Sequence, residues 1–348
     1  MKTELNINKI LVIQTAFIGD VILTTPLIVA LKEIYPNVII DILVAPQCKI
    51  ILETNPLINQ IHVLDKKKFY SLILKIKKEH YDLSVSPHSS FRSGITALLA
   101  GINNRIGFKR NFQQFFLTKS IPHKKGVHKI YKNLDLALLS WKLGVGNGES
   151  NPLLSIQTKL YPSSNNYQKA EKILQNINER DPRKIILIAP GSVWFTKRWL
   201  LINYFQLTQK LIEKKYYVIL AGAPAEKELN EYILNKIDNK AYVKNIAGDF
   251  DLLDSAALIE KIDLVVCNDS GILHIANAMN TPVFAIFGPT VKSLGYFPYQ
   301  KNDYVFEADL ECRPCGSHGG IKCPKKHFNC MKMVTVEVVF NEIIKRLG

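Results

Sequence analysis

Leu264-Val265-Val266-Cys267-Asn268-Asp269-Ser270-Gly271-Ile272-Leu273-His274 runs from an unbroken apolar stretch, through an Asp-Ser-Gly turn, into a helix-forming segment. Consecutive apolar residues with paired valines read as a strand covered on both faces, as strands of parallel sheets are. The turn frees backbone amides at a helix start, an arrangement that favours anions, and Asp269 is suited to hold sugar hydroxyls. His274 falls about one turn into that helix. A capped helix carrying a surface histidine is the plain alternative.

The same rhythm extends outward in both directions. Downstream, an expected strand at residues 283–287 ends in Gly288-Pro289-Thr290, a second anion-friendly turn. Upstream, a strand at 184–189 leads to Pro190-Gly191-Ser192 and then Lys197-Arg198-Trp199, and a strand at 217–221 leads to Gly222 and Glu226. A glycine beside a hydroxyl side chain lets amides approach an anion, and a lysine five residues on supplies a point charge for a phosphate. Glu226 either accepts hydrogen bonds from a ribose or only opens a helix. The first half repeats the pattern, with strands at 10–13, 38–44, 61–64 and 83–85 and a helix at 66–79 striped by Leu72, Ile73 and Ile76. A last helix spans 336–347. The chain has 348 residues, more than twice a typical domain of about 150. The polar, turn-rich passage 161–166 marks the break between two α/β domains, 1–163 and 164–348. Ligands of such sheets bind beyond the carboxyl ends of the strands.

The first strand passes into Thr15-Ala16-Phe17-Ile18-Gly19-Asp20, followed by a helical segment at 21–34 in which Pro26 kinks the helix or marks its start. Asp20 therefore stands at a helix start beyond a strand's carboxyl end, as a cap or as a base.

Ile18-Gly19-Asp20-Val21, Lys197-Arg198-Trp199, Asn268-Asp269-Ser270-Gly271 with His274, and Phe287-Gly288-Pro289-Thr290 stand in the order and spacing of the lipopolysaccharide core heptosyltransferases. From about Lys9 onward the chain resembles that family, glycosyltransferase family 9. Ser90-Phe91-Arg92-Ser93, Arg105-Ile106-Gly107-Phe108 and the cysteine-rich tail are similar to its heptosyltransferase II branch. The resemblance implies a GT-B fold, with two Rossmann-like parallel-sheet domains facing a central cleft. It implies an N-terminal domain that binds a lipid A-linked core oligosaccharide, with Arg92 and Arg105 at the acceptor. It implies a C-terminal domain that binds ADP-heptose. By similarity Asp20 is the base that deprotonates the acceptor hydroxyl in an inverting displacement. Lys197 and Ser192 meet the diphosphate, Glu226 the nucleoside, Asp269 the sugar or ribose, and Ser270, Gly271 and His274 the phosphate region. Ser192 stands where some members have threonine. No Asp-x-Asp metal site appears in a suitable loop, which agrees with the GT-B chemistry that the resemblance implies, one that requires no cofactor and uses basic side chains and helix dipoles.

Lys+Arg 45 against Asp+Glu 30 leaves a formal charge of +15, which calls for a polyanionic partner. Basic residues cluster in the first half, including Lys66-Lys67-Lys68, Arg92, Arg105, Lys109, Arg110 and His123-Lys124-Lys125. This suits phosphorylated lipids and peripheral contact with an anionic inner-membrane surface. Nucleic acid is disfavoured, because neither an aromatic-basic RNA motif nor a DNA-reading helix is present. Residues 1–8 lack the pattern of a secretion signal and no apolar run reaches about 20 residues, so a cytoplasmic protein at the inner face of the membrane is expected. Cys312, Cys315, Cys323 and Cys330 leave three readings open: a structural zinc site, reduced thiols packing a loop, or disulfides. Two rival functions share these features, a GT-B enzyme using another sugar nucleotide and a non-catalytic sugar-nucleotide or polyanion-binding protein. Asp20 speaks against the second, since a pure binder needs no carboxylate near an acceptor.

Overall fold

The computed structural model describes residues 6–144, 155–179 and 182–348; the first five residues of the polar N-terminal stretch lie outside the described part. The chain divides into two compact units, Met1–Tyr161 and Pro162–Gly348.

The first unit runs β1 (Lys9–Gln14), α1 (Ile18–Ile22), α2 (Thr25–Ile34), β2 (Ile39–Val44), β3 (Gln60–Val63), α3 (Phe69–Lys78), β4 (Leu83–Ser86), α4 (Phe91–Leu99), β5 (Asn104–Lys109), β6 (Lys119–Pro122) and α5 (Lys129–Gly144). Its strands are all parallel in the order β3-β2-β1-β4-β5-β6. The order reverses between β1 and β4, so the crevice beyond their carboxyl ends is the topological switch point where ligands bind in such sheets. Ile10 to Ile13 are fully buried, each removing about 1.5–3 kcal/mol worth of apolar surface from water.

The second unit runs α6 (Ser164–Asn178), β7 (Ile185–Ala189), α7 (Leu201–Glu213), β8 (Tyr217–Leu220), α8 (Lys227–Lys236), β9 (Val243–Asn245), α9 (Leu252–Ile259), β10 (Leu264–Asn268), α10 (Gly271–Ala278), β11 (Val283–Phe287), β12 (Tyr304–Glu307), α11 (Asn329–Lys332) and α12 (Val336–Leu347). Its parallel strands are ordered β12-β11-β10-β7-β8-β9, with the switch point between β10 and β7. The apolar stripe of α12, Val336, Val339 and Ile343, joins Leu207 and Leu211 of α7 in the core.

Pro26 marks a helix start, the second of the two expectations for this segment. Residues 21–34 do not form a single helix; α1 ends at Ile22 and α2 begins at Thr25, with Pro26 in its first turn. The proline ring fits only the first turn of a helix. The carbonyl of Asp20 accepts instead from the Thr24 hydroxyl at 2.8 Å and from Gln14 Nε2 at 3.5 Å. Asp20 lies within the first turn of α1, whose cap position is held by Phe17.

Candidate active site

In the second unit, three loops that follow adjacent strands meet at one carboxylate. Asp269, just past β10, accepts from Lys197 Nζ at 2.6 Å and from Thr290 Oγ1 at 2.7 Å. Lys197 comes from the loop after β7 and Thr290 from the loop after β11. Both ionic partners are largely buried, so their attraction is weakly screened and fixes the ammonium in place. Asn268, fully buried, spends its whole amide on the same loops. Its Nδ2 donates to Pro190 O at 2.8 Å and Gly191 O at 3.2 Å, and its Oδ1 accepts from Trp199 N and from Tyr204 Oη, both at 2.9 Å.

The turn after Asp269 opens α10. Ser270 holds the cap position with extended backbone, but its hydroxyl makes no capping bond to the helix. Gly271 begins the helix and His274 is buried within it. Glu226, after β8, packs against the loop after β7 so closely that a Cβ at Gly191 would lie 1.8 Å from Glu226 Oε1. Its other carboxylate oxygen accepts from Ala223 N at 2.9 Å. Ser192 is buried, and its carbonyl accepts from Arg198 Nε at 2.8 Å.

A strap formed by residues 308–330, which includes the cysteine-rich segment, holds these loops from outside. Arg313, its side chain 5 % exposed, donates to the carbonyls of Phe287, Gly288 and Ala308 and, at 2.8 Å, to that of Thr290, and pairs with Glu307 at 2.9 Å. Cys315 N donates to Pro289 O at 2.9 Å. Thr196 and Gly320 bond reciprocally, at 3.0 Å and 2.7 Å, and a Cβ at Gly319 would fall 2.9 Å from Lys197 Cγ. The cysteine segment is thus packed on the loops that carry Lys197 and Thr290. All six cysteines are free thiols. Cys315 Sγ donates to Cys312 O at 3.2 Å, Cys312 Sγ stands 4.0 Å from His327 Nε2, and Cys330 is buried in the core. Among the described residues no three His, Cys, Asp or Glu side chains converge as metal ligands. Cys315, Cys323 and Cys330 line one small cavity with His318.

In the first unit, Asp20 is half-buried beyond β1. His88, beyond β4, bonds Thr15 Oγ1 through Nδ1 at 2.9 Å across the switch point, and Ser93 Oγ lies at 3.5 Å. Lys129, at the start of α5, is 5 % exposed; its ammonium donates to Pro87 O at 3.2 Å and lies 5.4 Å from the Phe108 ring centre. Burial pushes Lys129 down to about 8, against the pull of Asp20 and with the help of Lys132 and Arg110. Burial likewise lowers His88, opposed by Asp20 and assisted by Lys129. His88 and Lys129 are the titratable neighbours of Asp20 that sequence reading missed; in sequence Lys129 is one lysine among many. Arg105 is committed locally: Nε donates to Phe116 O at 2.6 Å and Nη1 to Ile102 O at 2.6 Å and Asn103 O at 3.2 Å. Arg92 is exposed on the first turn of α4.

Two parallel-sheet units with loop clusters at their switch points define the GT-B class of glycosyltransferases. The profile of glycosyltransferase family 9 (heptosyltransferase) matches residues 69–325, and the chain belongs to that family. It is 26% identical over 312 residues to lipopolysaccharide heptosyltransferase 2 of Escherichia coli K12, covering 81% of this chain and 83% of that protein. It is 28% identical over 353 residues to lipooligosaccharide heptosyltransferase 2 of Campylobacter jejuni serotype O:6, covering 97% and 98%. Among solved structures, the E. coli ADP-heptose lipopolysaccharide heptosyltransferase II superposes with a TM-score of 0.77 at 25% identity, over 97% of this chain and 98% of that one. A family 9 glycosyltransferase from Veillonella parvula shares the fold with a TM-score of 0.80 at 21% identity, over 99% of each chain.

Proposed function

We propose that this enzyme moves a heptose from ADP-heptose to the inner core of a lipopolysaccharide in one inverting displacement. The observation that carries the reading is the convergence of Lys197, Asp269 and Thr290 beside the open start of α10. A diphosphate leaving group departs readily only when its growing negative charge meets preorganised donors. Lys197, held by Asp269, and the amides of Ser270 and Gly271 are such donors. Ser192 and His274 complete the phosphate region, and Glu226, braced over Gly191, is suited to the hydroxyls of the nucleoside. In the other unit Asp20 takes the proton of the acceptor hydroxyl as that oxygen attacks the anomeric carbon. The names of the relatives support a heptose donor and a lipopolysaccharide acceptor, and Arg92, exposed on α4, is suited to acceptor anions. Arg105 would act there by shaping the 102–116 loop. No step calls on a metal or other cofactor. An acceptor of this kind is borne by the cytoplasmic leaflet of the inner membrane, where the protein would act peripherally; no helix among the described residues is long and apolar enough to cross a membrane.

The test is incubation of the purified protein with ADP-heptose and a panel of truncated core acceptors, followed by product mass. One heptose increment on an inner-core acceptor is expected, with the anomeric configuration inverted by NMR. Transfer only from a different sugar nucleotide, or binding of ADP-heptose with no product on any acceptor, would overturn the reading.

A further inference from the structure

The segment joining β5 to β6 is built to meet a surface. Residues 83–134, between Asp82 and Asp135, contain nine Lys and Arg and not one Asp or Glu, in a chain whose 30 acidic residues would place about four or five in such a length. Within that acid-free stretch, residues Asn111–Phe116 form a 3₁₀ turn. Side chains three apart eclipse one another in a 3₁₀ helix, which sorts this turn into two sides. Gln113 is fully buried, and Phe116 packs edge-on to Phe91 with ring centres 5.3 Å apart. Phe112 and Phe115, three apart on the other side, are 71 % and 75 % exposed with ring centres 6.5 Å apart. With Ser89, Ser90, Phe91 and Gln114 they line an open pocket of about 540 Å³. Lys109 and Arg110 precede the turn and Lys119 follows it at the start of edge strand β6, all three exposed.

Two outward phenylalanines bracketed by cations, on a 3₁₀ turn with no carboxylate in its sequence neighbourhood, combine the two attractions that hold a protein at an anionic bilayer. The rings enter the boundary between headgroup and acyl chain, and the cations stay at the phosphates. We infer that the β5–β6 turn is a membrane-docking wedge, with Phe112 and Phe115 inserting into a bilayer of anionic phospholipids and Lys109, Arg110 and Lys119 pairing with its headgroups. This rests on the lipid-borne acceptor proposed above and assigns the membrane contact to one segment.

Flotation of the full chain with phosphatidylcholine–phosphatidylglycerol vesicles, without substrate, tests it. The wild type should float with these vesicles and not with pure phosphatidylcholine. Phe112→Ser with Phe115→Ser should weaken binding about tenfold or more, and Lys109→Gln or Lys119→Gln about fivefold each at low salt. As a second readout, Phe112→Trp should shift its emission to the blue on adding the anionic vesicles. Equal flotation of the double serine variant, or tryptophan emission unmoved by vesicles, would overturn the wedge. So would a patch whose serine variants change only the sedimentation of the free protein, which would mark a contact with a second copy. Because vesicle binding is read without sugar nucleotide, a chain that transfers no heptose yet loses binding in the serine variant still supports the wedge. A chain that transfers heptose and never floats sinks it alone.

Discussion

The two switch points manage charge in opposite ways. In the second unit Lys197 is matched by Asp269 at 2.6 Å, and Asp269 is held again by Thr290. In the first unit Asp20 is the acid that offsets Lys129, while Lys132 and Arg110 add to the positive side. A diphosphate needs a cation whose position is set before it arrives, and a carboxylate partner supplies that order. Lys129 is met instead by a backbone carbonyl, Pro87 O at 3.2 Å. Pairing therefore yields geometry, and imbalance yields a standing field.

The largest effect expected from disturbing this contrast is at Asp20. Asp20→Asn should lower kcat by about 10²–10⁴ while leaving ADP binding unchanged, since a positioned base contributes that much. Turnover above about a third of wild type would reduce Asp20 to a helix residue and erase its half of the comparison.

Arg313→Ala should come next. It strips a guanidinium from the carbonyls of Phe287, Gly288, Thr290 and Ala308, at a cost of about 3 kcal/mol of stability. ADP affinity should fall with it, because the Thr290 loop loses its anchor. Arg313→Lys should recover only part, since an ammonium lacks the planar fork. Urea unfolding and ADP titration check this; ADP affinity untouched in the alanine variant would mean that the strap does not order the loops.

Lys197→Ala sharpens the paired side. By calorimetry ADP should bind more weakly by about 1.5–3 kcal/mol, the value of a charge-assisted bond, with adenosine unaffected. If both ligands weaken equally, Lys197 does not read the diphosphate.

The smallest effect probes the unpaired side through pH. Lys129 titrates near 10.5 when unfolded and at about 8 when folded. Below pH 8 both states carry the proton, and the cost of the buried charge is felt in full. Between about 8 and 10.5 the unfolded chain binds more protons, so stability rises with pH and the cost is relieved. Lys129→Met should therefore stabilise the protein by about 1–2 kcal/mol near neutral pH, and the gain should shrink as pH climbs through that window. Unfolding curves of both proteins at neutral and alkaline pH decide it: a constant difference would show that Lys129 is not held as a desolvated ammonium.

The central strands were legible because apolar residues dominate them and both faces are buried, even where Asp41 interrupts β2 and Ser84 interrupts β4: β1, β2, β4, β7, β8, β10 and β11 fall where the hydrophobic pattern set them. The edge strands β6, β9 and β12 and the penultimate strand β5 were not, since strands partly in water carry residues such as Asn104, Arg105, Lys119 and Lys244 and lose the pattern. The helix start at Pro26 was legible because proline fits only a first turn, whereas the bond from the Thr24 hydroxyl to Asp20 O that accompanies the break is a local competition that periodicity does not register.

Sequence alone determined the loops that follow the central strands, and with them Asp20, Ser192, Lys197, Glu226, Asp269, Ser270, Gly271 and His274 as candidates, because such loops are contiguous in the chain and keep their motifs together. Only the tertiary structure decided which of these meet. Lys197, Asp269 and Thr290 lie far apart in sequence and converge because β7, β10 and β11 are neighbours in the sheet, and the grip of Arg313 on the Thr290 loop depends on a strap with no periodic signal. The burial of Lys129 follows from packing α5 against α2, β5 and β6, which brings its ammonium to Pro87 O beyond β4; whether an ammonium is solvated or desolvated is a property of everything around it, which no single stretch of chain contains.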